Sequence, residues 1–195
     1  MNHQEELFNP QQSLQVIQNM IQQAQGRMQK NSFYFLLWGW AIALAYFGMY
    51  GIMKFTNYEH PYIVWTISIP AWIISLFYGR KQNKEAVVTT HLDKINMWLW
   101  ISFGLSILPV VIFMSEINFN LSPIILVLTA IPTFLTGIML RFKPLLFGGI
   151  NFWIAGFIAF MVDYETQYLV GGIAIVLGYL MPGYMLKKMR EHNHA

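Results

Sequence analysis

The sequence contains no cysteine, which excludes disulfide bonds, thiolate metal sites and cysteine nucleophiles. It is also poor in charge: 11% of its 195 residues are charged, whereas a soluble domain carries about 25%. So few charges cannot cover the surface of a soluble fold in which 56% of the residues are hydrophobic. We therefore expect lipid to be the solvent for most of the side chains.

Catalytic and ion-coupling features are missing as well. The chain has no HExxH, GxSxG or P-loop motif. No ionisable side chain lies between the ends of its apolar segments, although proton-coupled transporters and pumps depend on such groups. In the inner loop before the third segment, His91 and Asp93 are the only close acid–base pair, and on a helix these two positions face different directions. We expect a protein that is not an enzyme and that holds neither a cofactor nor a metal.

Six apolar segments approach the roughly 20 residues that a membrane helix needs. They cover about residues 33–53, 62–78, 97–114, 121–140, 144–162 and 168–186. The predicted fold class is all-α: a polytopic membrane bundle of six transmembrane helices, arranged as three helical hairpins, plus an N-terminal cytoplasmic amphipathic helix. The expected domains are a cytoplasmic polar segment with the amphipathic helix, the transmembrane domain and a short cytoplasmic tail, at residues 1–31, 32–187 and 188–195.

The basic residues predict the orientation of the helices. If the loops alternate between two sides, 11 of the 12 lysines and arginines fall on one side and only Lys54 falls on the other. Loops rich in lysine and arginine remain in the cytoplasm. We therefore expect both chain termini on the cytoplasmic side. The first thirty residues do not have the pattern of a signal peptide, so the first membrane helix is expected to act as its own insertion signal.

The segment before the first crossing predicts an amphipathic helix over residues 13–30. Its apolar stripe contains Leu14, Ile17, Ile21 and Met28, and glutamine dominates the opposite face. Helices that lie on a membrane surface usually carry lysine and arginine on the polar face. This difference favours packing against protein, and these four residues are the expected partner contacts. The partner would be a cytoplasmic regulatory protein or a second copy of the chain.

Four residues inside the crossings are candidates for helix packing or for lining a path: Asn151, Pro70, Pro132 and Pro182. A lone amide in apolar surroundings needs a hydrogen-bond partner, so Asn151 is expected to bond a neighbouring helix. Asn96, at the inner end of the third crossing, is expected to lie closer to water. Serine and threonine in membrane helices commonly bond their own backbone.

Two functions are compatible with these features. The first is a non-enzymatic sensor or scaffold that acts through its N-terminal helix and through the loop between the second and third helices. The alternative is a passive channel or a carrier for a neutral or apolar solute. Both place the chain in a lipid bilayer, and neither involves direct contact with nucleic acid.

Five stretches also carry a resemblance: SLQVIQNMIQQAQ, NSFYFLLWGW, YEHPYIVW, IPTFLTGIMLRFKPLLFGG and LGYLMPGYMLKK. Over its whole length the chain resembles a family of uncharacterised six-helix integral inner-membrane proteins of Bacteroidota-type bacteria. The resemblance implies a multi-pass protein of the bacterial cytoplasmic (inner) membrane, and it implies no mechanism. Such genes often lie beside a winged-helix transcription regulator, which implies a signalling or regulatory module.

The orientation can be tested with single cysteines, because the chain has none of its own. In intact spheroplasts, a membrane-impermeant maleimide should label Glu116→Cys and should not label Lys187→Cys. The Lys187→Cys variant should react only after the membrane is permeabilised. Labelling of Lys187→Cys in intact spheroplasts would contradict the predicted orientation.

Overall fold

The computed structural model describes residues 14–19, 21, 32–83 and 91–192, which are helical apart from short connections and include no strand. We number the helices from residue 32 onwards. The bounds are α1 Ser32–Phe55, α2 Ser68–Asn83, α3 His91–Ile112, α4 Leu121–Met139 and α5 Lys143–Met161. A 3₁₀ segment, Pro61–Ile67, runs directly into α2. Helix α6 has three consecutive parts: Tyr164–Ile175, a π turn at Val176–Leu180, and Met181–His192.

The described residues contain six helices that are long and apolar enough to cross a membrane. The predicted all-α bundle of six membrane helices is therefore confirmed. Two helix starts differ from the prediction. The described part of α3 already includes His91, ahead of the crossing predicted from about residue 97, and α6 begins at Tyr164 rather than near residue 168.

The early start of α6 has a local cause in Asp163. Its carboxylate accepts a hydrogen bond from the backbone N–H of Thr166 at 3.0 Å and caps the helix. This bond to the charged form lowers the pKa of Asp163. The cap is therefore present at neutral pH and is lost only as the pH falls through the lowered pKa.

The helices follow one another around the bundle in the order α2, α1, α6, α5, α4, α3, and α4 also contacts the first part of α6. The partners within each predicted hairpin do touch, but the most extensive contact joins α4 to α5, which belong to different hairpins. Helices α2 and α3 form the two ends of this row. Most of their side chains are exposed to the surroundings, whereas α4, α5 and α6 supply much of the buried core.

A tight turn aligns α4 with α5. Leu140 ends α4, and Arg141 follows with a positive φ of 49°. The backbone N–H of Phe142 donates to the carbonyl of Gly137 at 2.9 Å, and that of Arg141 donates to Ile138 at 3.0 Å. These two bonds form a Schellman motif, which satisfies carbonyls that the end of a helix leaves free. Helix α5 then begins at once, so the two helices run antiparallel side by side.

Glycines bring the backbones of α4 and α5 into contact. A Cβ atom added to Gly137 would lie 2.5 Å from the backbone nitrogen of Leu146. One added to Gly149 would lie 2.7 Å from the Cα atom of Phe134. Small residues allow this approach, and close packing is a main source of helix association in lipid.

Replacing Gly137 with alanine should therefore destabilise the protein. The new methyl group must displace backbone atoms of α5, and overpacking of this kind costs about 1–3 kcal/mol. The matched control is Gly104→Ala in α3, where an added Cβ meets nothing within 4 Å. Both changes raise helix propensity, by about 1 kcal/mol, so the difference between them isolates the clash. Equal unfolding midpoints for the two variants in detergent would show that the contact is not tight.

Candidate functional site

A cavity of about 650 Å³ lies between α1 and α3. Helices α4 and α6 form its back wall, and Trp65 from the 3₁₀ segment contributes at one end. Of the 17 residues described as lining it, none is charged and eight are aromatic. The aromatic residues are Tyr34, Phe35, Trp38, Tyr46, Trp65, Trp100, Phe103 and Tyr179.

One face of α3 forms a complete wall of the cavity, through Leu92, Asn96, Trp100, Phe103 and Ile107. These positions repeat at intervals of three and four residues, which places them on the same side of a helix. Residues on its other faces are exposed, as expected for a helix against lipid. Among the described helices, α3 packs mainly on α4, so it faces α1 across the cavity.

Asn96 joins α3 to α4 inside the cavity wall. Its Oδ1 accepts a hydrogen bond from Thr136 Oγ1 at 2.8 Å. Its Nδ2 has no hydrogen-bond partner in the part of the chain that the structure describes. From the sequence we expected Asn96 near water and assigned it no role, but the structure places it at the cavity. Asn96 and Trp100 are four residues apart, and this spacing could have indicated that they share one face of α3.

The π turn in α6 places Tyr179 at the cavity. Within this turn the backbone N–H of Met181 donates to the carbonyl of Val176, five residues earlier. Pro182 has no backbone N–H and would clash with the carbonyl of Gly178 in a regular helix, which accounts for the wider turn. Turns of this kind occur frequently at functional sites. Sequence reasoning identified the proline but missed the turn.

The ring of Tyr179 connects three helices. Its centroid lies 5.2 Å from that of Phe152, 5.9 Å from that of Phe35 and 6.4 Å from that of Trp100. The Tyr179 hydroxyl lies 3.4 Å from Thr133 Oγ1. Tyr179 is thus the central aromatic contact in the back wall.

The hydroxyl groups near the cavity do not form a polar path. Thr129 donates to the carbonyl of Ile125 at 2.6 Å, and Thr133 donates to that of Thr129 at 2.7 Å. On α3, Ser106 donates to the carbonyl of Ser102 at 2.8 Å. These hydroxyl groups bond the backbone of their own helix, as the sequence predicted. The cavity therefore presents a largely apolar surface.

The four predicted packing residues lie outside the cavity lining. Asn151 Nδ2 donates to the carbonyl of Ala174 at 2.9 Å, which confirms the expected bond between α5 and α6. Pro132 and Pro182 are buried within helices, whereas Pro70 is exposed near the start of α2. Asn151 thus has a packing role, and none of the four lines this cavity.

The predicted partner contacts are only partly described. Residues 14–19 are helical, and the side chains of Leu14 and Ile17 are 59% and 50% exposed. Ile21 is half-buried. Met28 and residues 84–90 of the loop between α2 and α3 lie outside the described residues. The role of this stripe as a partner surface stays a prediction.

Comparison with protein-family models, curated proteins and solved structures finds no match to this chain. The family resemblance and its implied compartment therefore stay predictions. Within the described residues, no three histidine, aspartate or glutamate side chains come together in a way that could hold a metal ion.

Proposed function

We propose that this protein is a non-enzymatic membrane sensor or scaffold that binds an uncharged, largely apolar ligand between α1 and α3. One observation carries the proposal: the cavity of about 650 Å³ has an aromatic lining without charge. Its volume falls within the range of about 300–1,000 Å³ typical of ligand pockets. A charged ligand would lose its hydration there and gain no opposite charge, so the chemistry of the lining favours a neutral ligand.

The position of the cavity supports entry from the bilayer. Helices α2 and α3 end the row of helices, and each has mostly exposed apolar side chains. The α3 wall extends from Leu92 to Ile107, a rise of about 22 Å at 1.5 Å per residue. Such a cavity suits a ligand that is dissolved in the hydrocarbon.

The cytoplasmic side provides the proposed output. His91, the first described residue of α3, follows residues 84–90, which connect α3 to α2 along the chain. A ligand that contacts the α3 wall therefore acts on the helix that leaves this loop. In this proposal the loop and the exposed stripe around Leu14 and Ile17 contact a cytoplasmic regulatory protein. The protein would lie in a bacterial inner membrane with both termini in the cytoplasm.

A carrier for an apolar solute is the second candidate. The long α3 wall favours it, because the cavity reaches through much of the membrane-spanning part of that helix. A channel for polar solutes receives no such support, since the threonine and serine hydroxyls around the cavity bond their own helices.

Filling the cavity tests the proposed binding function. Protein extracted directly into polymer nanodiscs should be enriched in a neutral lipid over the bulk membrane, as measured by mass spectrometry. Ile125→Trp places a large side chain in the cavity lining and should reduce this enrichment about tenfold, equivalent to 1.4 kcal/mol. The control is Ile131→Trp on the same helix, at a position that is 43% exposed. No enrichment in the wild type, or an equal one in both variants, would refute the proposal.

A second experiment tests the cytoplasmic contact. Ile17→Glu adds a charge to the apolar stripe, and Gln18→Glu adds the same charge to the neighbouring polar face. A stoichiometric cytoplasmic protein should co-purify with the wild type and with Gln18→Glu. Its recovery should fall about tenfold with Ile17→Glu, because an unpaired charge buried at an interface costs several kcal/mol. Equal recovery with both variants would show that the stripe is not the contact.

A further inference from the structure

Several polar hydrogens around the cavity already have acceptors within the protein. Trp38 Nε1 donates to Ser75 Oγ at 3.0 Å, and the Tyr34 hydroxyl donates to the carbonyl of Ser75 at 3.4 Å. Among the residues that line the cavity, three side chains keep N–H groups without a partner in the described structure. These are the amide of Asn96 and the indoles of Trp100 and Trp65, of which Trp65 lies outside α3 at one end of the cavity.

Two of these free donors, those of Asn96 and Trp100, belong to one face of α3. Asn96 and Trp100 are four residues apart, which corresponds to a rise of about 6 Å. The Asn96 amide has a fixed orientation, because its oxygen accepts from Thr136 Oγ1 at 2.8 Å. The Asn96 Nδ2 group is therefore free to donate to a ligand. Trp100 is only half-buried, so its indole is accessible.

Free donors in an apolar site select a ligand with acceptors. A polar group that remains unpaired in such surroundings costs about 1–3 kcal/mol, so a matching acceptor is favoured. Neutral lipids offer carbonyl oxygens for this purpose. The aromatic rings beside these donors add a second preference. Trp100 lies near both Phe103 and Tyr179, with centroids 5.6 Å and 6.4 Å away, and aromatic surfaces favour a flat ring.

We propose that the ligand is a neutral lipid of the quinone type, with its flat ring beside Trp100 and Tyr179 and a ring carbonyl accepting from Asn96. This inference rests on the proposed function and specifies its ligand. The rise between Asn96 and Trp100 is comparable with the distance between the two oxygens of a para-quinone. In this proposal Trp100 donates to the second carbonyl, and the prenyl chain extends into the apolar part of the cavity.

Three probes can separate the parts of this proposal. The full-length protein in phospholipid nanodiscs would be titrated with radiolabelled 2-methyl-1,4-naphthoquinone carrying a prenyl chain, with empty nanodiscs as the baseline. The other probes, used as competitors, are the same hydrocarbon without the two oxygens and a diacylglycerol, which has carbonyls but no ring. The quinone should bind about tenfold more tightly than either competitor.

Two variants test the donors. Asn96→Leu should weaken quinone binding about tenfold and leave the oxygen-free hydrocarbon unaffected. Trp100→Phe keeps an aromatic ring and removes the N–H group, so it should weaken quinone binding severalfold even if Asn96→Leu fails to fold. Ser106→Ala is the control, because Ser106 bonds only its own helix and does not line the cavity. Its affinity for the quinone should equal that of the wild type.

The contrary results are distinct. Equal binding of the oxygen-free hydrocarbon would overturn the role of the carbonyl, and equal binding of the diacylglycerol would overturn the flat ring. Unchanged quinone affinity in both donor variants would overturn the role of Asn96 and Trp100. If no probe binds above the empty nanodiscs while Ile125→Trp still removes a native lipid, the quinone proposal fails and the proposed binding function remains. If no probe binds and Ile125→Trp also leaves the native lipid in place, both the quinone proposal and the proposed binding function fail.

Discussion

The backbone contact between α4 and α5 is the constraint on which the other features depend. In lipid, apolar side chains gain little by leaving their solvent, so helices associate where their backbones fit closely. Gly137 and Gly149 provide this fit between α4 and α5. Gly148 extends it to α6, since a Cβ there would lie 2.7 Å from the carbonyl oxygen of Gly178. These three helices form a closely packed unit, and the larger side chains of α1 and α3 surround the space that remains.

The number of crossings could be predicted because each long apolar run in the sequence indicates one segment that lies in lipid. The order of the helices could not be predicted, because side chains that face lipid are as apolar as those buried between helices. The sequence therefore does not show which face of a helix packs against a neighbour. Helix α5 illustrates this: Phe152 is 0% exposed and Phe157 is 64% exposed. The helical residues of α3 before residue 97 lay outside the predicted crossing for a related reason. Residues 91–96 are helical but include four polar side chains, so hydropathy did not count them.

The two asparagines show how far local sequence can identify a site. Asn96 and Asn151 each stand two residues before a tryptophan. Asn151 donates to the carbonyl of Ala174, whereas Asn96 accepts from Thr136 and keeps its own donor free. The difference arises from the helix that passes beside each amide. Which helix passes there depends on the tertiary structure. The sequence can therefore indicate that an amide in a membrane helix needs a hydrogen-bond partner, but it cannot identify that partner.

The π turn gives α6 two rotational phases. A helix advances about 100° per residue, so one extra residue in the turn rotates everything after it by that amount. The segment from Met181 onwards carries Tyr184, whose hydroxyl accepts from Trp40 Nε1 at 3.0 Å, and Leu186, which packs with Leu140 and Leu145. Both contacts depend on this rotated phase. Loss of one residue from the turn would leave the length of α6 almost unchanged and would direct a different face of its final segment towards α1.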